Sequence, residues 1–518
     1  MTRGEHIMST AGDSVSTRSG GLLDAIERIG NKVPHPAVIF LLLLGAVIVL
    51  SHLLYLLGTS VTYQTIDMAT EELVTNTVAV NSLLTADGIR FLFTSMIRNF
   101  MGFGPVGVIL VAMIGVGLAE QAGLVTALIK KIVSVAPAWS LTYIIVYLGV
   151  FSSIAADAGY LVLIPLGAAA FLTVGRHPIA GIAAAFAGVA AVFLVNVIIT
   201  PTDGILTEIT NDAIHLLDPN VSIDLTANLY FSIVCSLVLG FVCVFVTERV
   251  VEPRLGVYHG EIPDHAGEGI SHAEAKGLRW AFWALLAVLG LIALLTVPAG
   301  APLRDPTTGS IGGNSPFMSS LIVQIMLIFL VVGLAYGIAA GTIKNATDAI
   351  NAIVKTFASL SGMIFLLLII SQFIAYFNYS NLATIAAVNL ANVLKDANFD
   401  TLVLLIGFVV VVGILDLIIT GAVPKWAIFA PIFVPLMMKL NVGPEAVLAA
   451  YRIGDSPMNA VTPLNVYFGM VVGFCQRYDK DSGVGTVVAM MLPYVGALFL
   501  VWTALLIGWY LLALPFGP

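Results

Sequence analysis

Tyr451-Arg-Ile-Gly-Asp-Ser-Pro-Met-Asn-Ala-Val-Thr-Pro463 lies inside an apolar stretch, 444–472, yet carries an arginine, an aspartate and two prolines. A helix that crosses a bilayer needs about 20 predominantly apolar residues, and this stretch is long enough. Proline removes a backbone donor and clashes with the turn before it, so the helix is expected to break near its middle. Proline is accommodated in the first turn of a new helix, and Asn and Thr satisfy freed backbone groups. Pro463 is therefore read as the start of a second half-helix. Asn196-Val-Ile-Ile-Thr-Pro201 repeats the pattern inside the apolar stretch 178–215, and Pro201 is read in the same way.

Two further apolar stretches, about 138–173 and about 403–438, are each interrupted by a small-polar cluster. These are Phe151-Ser-Ser-Ile-Ala-Ala-Asp-Ala-Gly159, with Ser152, Ser153 and Asp157, and Thr420-Gly-Ala-Val-Pro-Lys-Trp426. Each arm is about 14 residues, or roughly 20 Å of helix, against a hydrocarbon core of about 30 Å. Re-entrant hairpins are the expectation, because irregular backbone at that depth persists only when buried in protein or lining an aqueous cavity.

The rest of the chain agrees with a membrane setting. Of 518 residues only 52 are charged and 59% are hydrophobic, with a mean hydropathy of +1.01. A soluble domain carries roughly 25% charged residues. A soluble enzyme, a disordered chain and a nucleic-acid binder are thereby excluded, and a net charge of −8 offers nothing to a phosphate backbone. Long uninterrupted apolar runs also argue against a β-barrel, whose strands alternate. The fold class is an all-α polytopic membrane protein. About nine transmembrane helices are read, at 36–58, 104–123, 178–215, 226–247, 280–297, 317–343, 361–378, 444–472 and 486–514, plus the two hairpins. The three cysteines form no disulfide or metal spacing; Cys235 and Cys243 share one helix and Cys475 is read in a loop.

Residues 1–35 carry no cleavable signal and read as a cytoplasmic N-terminal tail. Residues 36–247 form a first membrane repeat, 248–316 a cytoplasmic linker with one extra helix, and 317–518 a second repeat. The odd number of spans between corresponding elements inverts one repeat relative to the other. With the N-terminus inside, 15 Lys/Arg face the cytoplasm and 5 the exterior, an inward bias that fits the topology. Residues 59–91 are read as an acidic external loop. The segments 87–103, 124–136 and 344–360, with mixed apolar and polar positions, are read as interfacial.

Two basic residues, Lys425 and Arg452, fall within membrane segments. Ionisable groups at depth are costly and functional by default. They are accompanied by Asp157, Asp203, Asp416 and Asp455. Arg452 and Asp455 share a helix face and read either as a mere intrahelical pair or as functional groups, with Arg452 meeting a substrate carboxylate and Asp203 and Asp455 holding a cation or proton. Lys425 either faces the site, pairs with Asp416, or snorkels to an interface. Trp426 reads as an interfacial belt residue or as a stacking platform for an aromatic substrate. Glu120 reads as interfacial. Inverted repeats with four breaks near the midplane are the pattern of secondary transporters. An intramembrane aspartyl protease and a channel are the rival classes. Neither finds its motif here, nor does any Gly-rich nucleotide loop.

Lys425-Trp-Ala-Ile-Phe-Ala-Pro-Ile-Phe-Val-Pro435 and Tyr451–Pro463, with Ser152-Ser153…Asp157-Ala-Gly-Tyr160 and Asn196…Thr200-Pro-Thr-Asp203-Gly204, resemble the AbgT family of p-aminobenzoyl-glutamate transporters. The resemblance spans nearly the whole membrane portion. It implies nine spans and two hairpins, a homodimer in the bacterial inner membrane, and kinship with divalent-anion/Na⁺ symporters. It implies no cofactor, H⁺ and/or Na⁺ as coupling ion, and a small aromatic carboxylate such as p-aminobenzoyl-glutamate, or a sulfonamide antimetabolite, as cargo. By motif, Trp426, Pro444 and Arg452, with Lys425, are implied substrate-site residues. Asp203, Asp455, Asn196, Asn459, Asp157, Ser152 and Ser153 are implied for ion coupling, with Na⁺ at Asn196, Asp203, Asn459 and Asp455. In one respect the sequence departs: Val423 stands where the family's hairpin tip usually carries a serine, removing a hydrogen bond worth about 0.5–1.5 kcal/mol. Another dicarboxylate or peptide-like anion on the same fold is therefore the alternative cargo.

Overall fold

The computed structural model describes residues 36–66, 73–153, 159–260, 270–311, 315–386, 388–389, 400–417 and 421–518. The N-terminal tail, Asp157 and Thr420 lie outside them. Among the described residues, eight helices are long and apolar enough to cross a membrane: Ala37–Leu56, Ala86–Gln121, Leu229–Leu255, His272–Thr296, Leu321–Ala340, Ser361–Tyr379, Ala422–Lys439 and Val484–Leu511. Seven of them cover the seven spans expected to be continuous. The eighth, Ala422–Lys439, lies in the stretch read as the second hairpin.

Both interrupted spans are interrupted. The first runs as Pro178–Phe186, continues in a wide π turn over Ala187–Ala191, and resumes as Pro201–Ile214. The second runs as Pro444–Asp455, tightens into a 3₁₀ turn at Pro457–Ala460, and resumes as Phe468–Gln476. Pro201 opens its half-helix as read. Pro463 does not. Asn465 donates to the Asn459 carbonyl and accepts from the Tyr467 backbone N–H, while Thr462 Oγ1 accepts from Leu464 N–H. These local bonds hold the chain in an irregular turn and delay the helix to Phe468. Cys475 is also corrected: it lies buried near the end of that helix, not in a loop.

The two stretches read as hairpins hold the helices Leu141–Ser152 and Ile164–Thr173 in the first case, and Thr401–Asp416 and Ala422–Lys439 in the second. The second pair is longer than the expected 14 residues, and Ala422–Lys439 carries Pro431 and Pro435 inside one continuous helix. Residues 59–91 are not only loop. Ser60–Ile66 pairs antiparallel with Leu73–Ala79, Ser60 opposite Ala79, and Thr85 caps the helix Ala86–Met101 through Gly88 N–H. The other two segments read as interfacial form the amphipathic helices Leu124–Ser134 and Ala346–Ser359.

The tightest packing surrounds the breaks. Every residue of Pro178–Ala191 and of Ala446–Asp455 is buried. Glycines permit this. A Cβ on Gly149 would stand 2.8 Å from Gly188 Cα, and one on Gly167 would stand 2.8 Å from the Gly181 carbonyl oxygen, so both arms of the first hairpin press backbone to backbone against the broken helix, as small residues allow in membranes. Gly454 meets the Thr401–Asp416 arm in like manner, at the Val409 carbonyl oxygen. Helices Gly104–Gln121, His272–Thr296 and Leu321–Ala340 form a second cluster around Leu118, Val288 and Tyr336. By contrast, Ala37–Leu56 and His272–Thr296 leave most of their apolar side chains outside, among them Leu42, Leu53 and Leu294, as lipid-facing helices do.

Two of the basic residues read as cytoplasmic find acidic partners from other segments read as cytoplasmic. Lys130 pairs with Glu274 and Arg176 with Glu252 and Glu248.

Candidate functional site

Thr200-Pro201-Thr-Asp203 begins its half-helix with a reciprocal cap. Thr200 Oγ1 accepts from the Asp203 N–H, and Asp203 Oδ2 accepts from the Thr200 N–H (2.8 Å) and hydroxyl (2.7 Å). This is the Ser/Thr-x-x-acid arrangement that satisfies orphan helix donors. It leaves Asp203 Oδ1 pointing away from its own helix, 2.5 Å from Nη1 of Arg452.

Arg452 is the second element. It is buried in Pro444–Asp455, and the same Nη1 donates to the Leu194 carbonyl at 2.8 Å. Ser456 accepts from the Leu194 N–H at 3.2 Å. Both backbone polar groups of Leu194, within the first break, are thus satisfied by the second broken helix. A backbone break at membrane depth requires such partners. Sequence reading missed Leu194 and Ser456 in this role, because the bonds are tertiary and no local pattern marks a backbone acceptor. It also left open whether Arg452 and Asp455 pair only with each other. The structure gives each its own partner.

Asp455 belongs to the third element. Its Oδ1 lies 2.7 Å from Lys425 Nζ and 3.0 Å from the Tyr451 hydroxyl, which also donates to the Ala422 carbonyl at 2.5 Å. Lys425 is in direct contact with Asp416 as well. Asp416, Lys425 and Asp455 are all fully buried. Lys425 therefore does not snorkel, and its ammonium is held between two carboxylates instead of facing the Arg452 side. With all three groups ionised the cluster carries one net negative charge, a costly state in a low-dielectric interior. Asn459 donates to Asp455 Oδ2 at 3.3 Å.

Trp426 is fully buried, which removes the belt reading. It lies in the first turns of Ala422–Lys439, its ring 4.5 Å from that of Tyr451, and its indole N–H reaches Thr210 Oγ1 (2.9 Å) and the Leu206 carbonyl (3.2 Å). The second hairpin is thereby fixed to the half-helix that carries Asp203. Val423 is buried in the apolar core beside it. Pro444 opens its helix eight residues before Arg452, about 12 Å along the axis.

At the first hairpin, Asn196 donates to Ser153 Oγ (2.9 Å) and to the Val150 carbonyl (3.2 Å), while its Oδ1 accepts from Val197 N–H. Ser152 bonds back to Gly149. Two small cavities, each of about 10 Å³, adjoin this region. One lies between Ser153, Asn196 and Asp203; the other extends from Asn196 and Asp203 to Arg452, Asn228 and Ser232. The predicted residues thus fall into two groups: Asn196, Ser153, Asp203 and Arg452 around the cavities, and Asp416, Lys425, Asp455 and Asn459 in a buried charge cluster. No group of three or more His, Cys, Asp or Glu suited to a metal occurs among the described residues.

Comparison with known proteins extends this geometry. A sequence model described as the AbgT putative transporter family matches residues 21–518. The p-aminobenzoyl-glutamate transport protein of Escherichia coli (strain K12) is 35% identical over 511 residues, which is 99% of either chain. The crystal structure of the Alcanivorax borkumensis YdaH transporter, described as having an unusual topology, superposes with a TM-score of 0.88 at 39% identity over 94% of this chain and 100% of its own. Neisseria gonorrhoeae MtrF, described as illuminating a class of antimetabolite efflux pumps, gives 0.89 at 37% identity, covering 96% and 99%.

Proposed function

The chain belongs to the AbgT putative transporter family, a family of multi-pass membrane transporters, and on that premise we propose that it is a cation-coupled secondary transporter of p-aminobenzoyl-glutamate-like aromatic carboxylates. The observation that carries the proposal is the Arg452–Asp203 pair, which joins the two broken helices beside a cavity. A guanidinium suits a carboxylate or sulfonamide oxygen, and Asp203 is the group such an anion would replace as its partner. The cavity has room for about one water, so cargo enters only when the two broken helices part, as in alternating access.

Coupling is assigned to the Asp416–Lys425–Asp455 cluster. Its excess negative charge is neutralised by one monovalent cation, H⁺ or Na⁺, taken up and released each cycle. Lys425 is read as the standing counter-charge of these carboxylates. Asn196, Asn459, Ser152, Ser153 and Asp157 are read as their polar surroundings at the breaks and hairpin tips, and Pro444 and Trp426 as the frame of the cargo site. The name of the Escherichia coli relative supports p-aminobenzoyl-glutamate as cargo, and the description of MtrF supports efflux of antimetabolites such as sulfonamides. The family resemblance supports a homodimer in the bacterial inner membrane, and the inward Lys/Arg bias supports a cytoplasmic N-terminus.

Val423 favours a second reading. A buried methyl pair where a hydroxyl is expected alters what the tip can hydrogen-bond, which fits another dicarboxylate or peptide-like anion as cargo. Counterflow of labelled p-aminobenzoyl-glutamate and of a sulfonamide in proteoliposomes tests both readings. Exchange of neither, with exchange of a different dicarboxylate, selects the second. Recovery of chemically altered compound would instead make the protein an enzyme.

A further inference from the structure

The cavity beside Arg452 has a wall that the family motifs do not include. Asn228 and Ser232 are one turn apart at the start of the Leu229–Val246 helix and both line it, facing Arg452 and Asp203. Asn228 is 5% exposed and Arg452 2%. Asn228 Nδ2 donates to the Glu445 carbonyl (2.9 Å) and to the Ala227 carbonyl (3.2 Å). Those two acceptors fix the amide orientation, since the flipped amide would set oxygen against oxygen. Asn228 Oδ1 is then left buried with no partner among the described residues, and so is Arg452 Nε. A buried polar atom left unsatisfied is rare and calls for a reason.

The two unpaired atoms are complementary: one acceptor and one donor, on two residues that line the same small cavity. We propose that Asn228 is a specificity-determining residue, whose Oδ1 accepts a hydrogen bond from an N–H of the cargo while Arg452 Nε donates to an anionic oxygen of the same molecule. The class selected is an anion that carries an N–H donor, an aryl amide-carboxylate or a sulfonamide, over an anion of the same shape without one. Ser232, on the same face, completes this wall. The inference rests on the transport reading above and adds the residue that discriminates within it.

The test compares binding of p-aminobenzoyl-glutamate with that of two analogues, one N-methylated at the amide and one with a dimethylated arylamine, to the full-length protein in detergent. Wild type is expected to bind at least one analogue about tenfold more weakly, a loss set by the unpaired buried acceptor. Asn228→Ala should bring that ratio close to one. Asn228→Asp, which also loses the donor to Glu445 but keeps an oxygen, should retain most of it. A purely structural Asn228 would weaken all three ligands alike in both variants, and an unchanged ratio in Asn228→Ala overturns the proposal. Where those variants fail to fold, the wild-type comparison of the three ligands decides alone, and equal binding of all three is contrary to the proposal. A wild type that binds none of the three overturns the transport reading and this one together; a wild type that binds all three equally overturns this one alone.

Discussion

Arg452 Nη1 lies 2.5 Å from Asp203 Oδ1, and the two residues come from different broken helices, 249 positions apart in the chain. Breaking a well-buried pair leaves an uncompensated charge and costs about 3–5 kcal/mol. Asp203 retains 18% side-chain exposure, so the lower end is expected here. Asp203→Asn and Arg452→Gln should each lower thermal stability in detergent and abolish flux. The double variant should be less destabilised than the sum of the singles, by about 1–3 kcal/mol of coupling. Strict additivity would show that the pair does not hold the breaks together.

Asp416→Asn removes the excess charge of the Lys425 cluster and leaves a neutral Lys425–Asp455 pair. The variant should fold, catalyse downhill exchange, and fail to accumulate cargo against its gradient. Lys425→Met is the opposite change: it strands two buried carboxylates and should reduce stability by about 3–5 kcal/mol. Accumulative uptake by Asp416→Asn at the wild-type level would remove the cluster from coupling.

Packing at the first break predicts a sharp difference between glycines. A Cβ on Gly188 would stand 2.4 Å from the Val146 carbonyl oxygen, whereas one on Gly107 meets nothing within 4 Å. Gly188→Ala should destabilise by about 1–3 kcal/mol through overpacking, and Gly107→Ala should be neutral or slightly stabilising. Thermal melts of the two purified variants check this.

His177 predicts a pH effect on stability. Its Nδ1 accepts from the Ile179 N–H at the start of the Pro178–Phe186 helix, which requires a neutral ring. Burial lowers its pKa below the usual 6.5, against the opposing pull of Glu252 and Asp479. A depressed folded value means that this contribution is full above the unfolded pKa and is lost as pH falls through the folded one. A protonated ring at a helix N-terminus is also unfavourable. The melting temperature should fall on the acid side of pH 6.5, and His177→Asn, which caps without titrating, should flatten that fall. Superimposable pH profiles would remove His177 as the cause.

The breaks were legible in the sequence because they are written in residues with strong local meaning. Pro201 reads as the start of a half-helix, which the structure bears out, and the structure adds the reciprocal Thr200–Asp203 cap that fixes that start. Pro463 misled because Asn465 and Thr462 hold a longer turn than proline alone predicts. Arg452 and Lys425 stand out as charges in apolar segments, and Asp416, nearby in the chain, is one of the partners read for Lys425. Asp203 is distant in sequence from Arg452, and spacing along one helix cannot rank Asp455 against either carboxylate. Asn228 gave no signal, since an Asn before an apolar run is an ordinary N-terminal residue; only its unpaired oxygen marks it.

The central claim, that this chain moves an aromatic carboxylate at the expense of a cation gradient, is tested most directly in proteoliposomes loaded with unlabelled p-aminobenzoyl-glutamate. Labelled compound is followed while Na⁺ and pH gradients are imposed separately, with wild type and Arg452→Ala side by side. Wild type should drive the compound, chemically intact, against its own gradient under at least one of the two, with the effect gone when that gradient is collapsed and absent in Arg452→Ala. Movement that ignores both gradients, or equal movement by Arg452→Ala, would contradict the account.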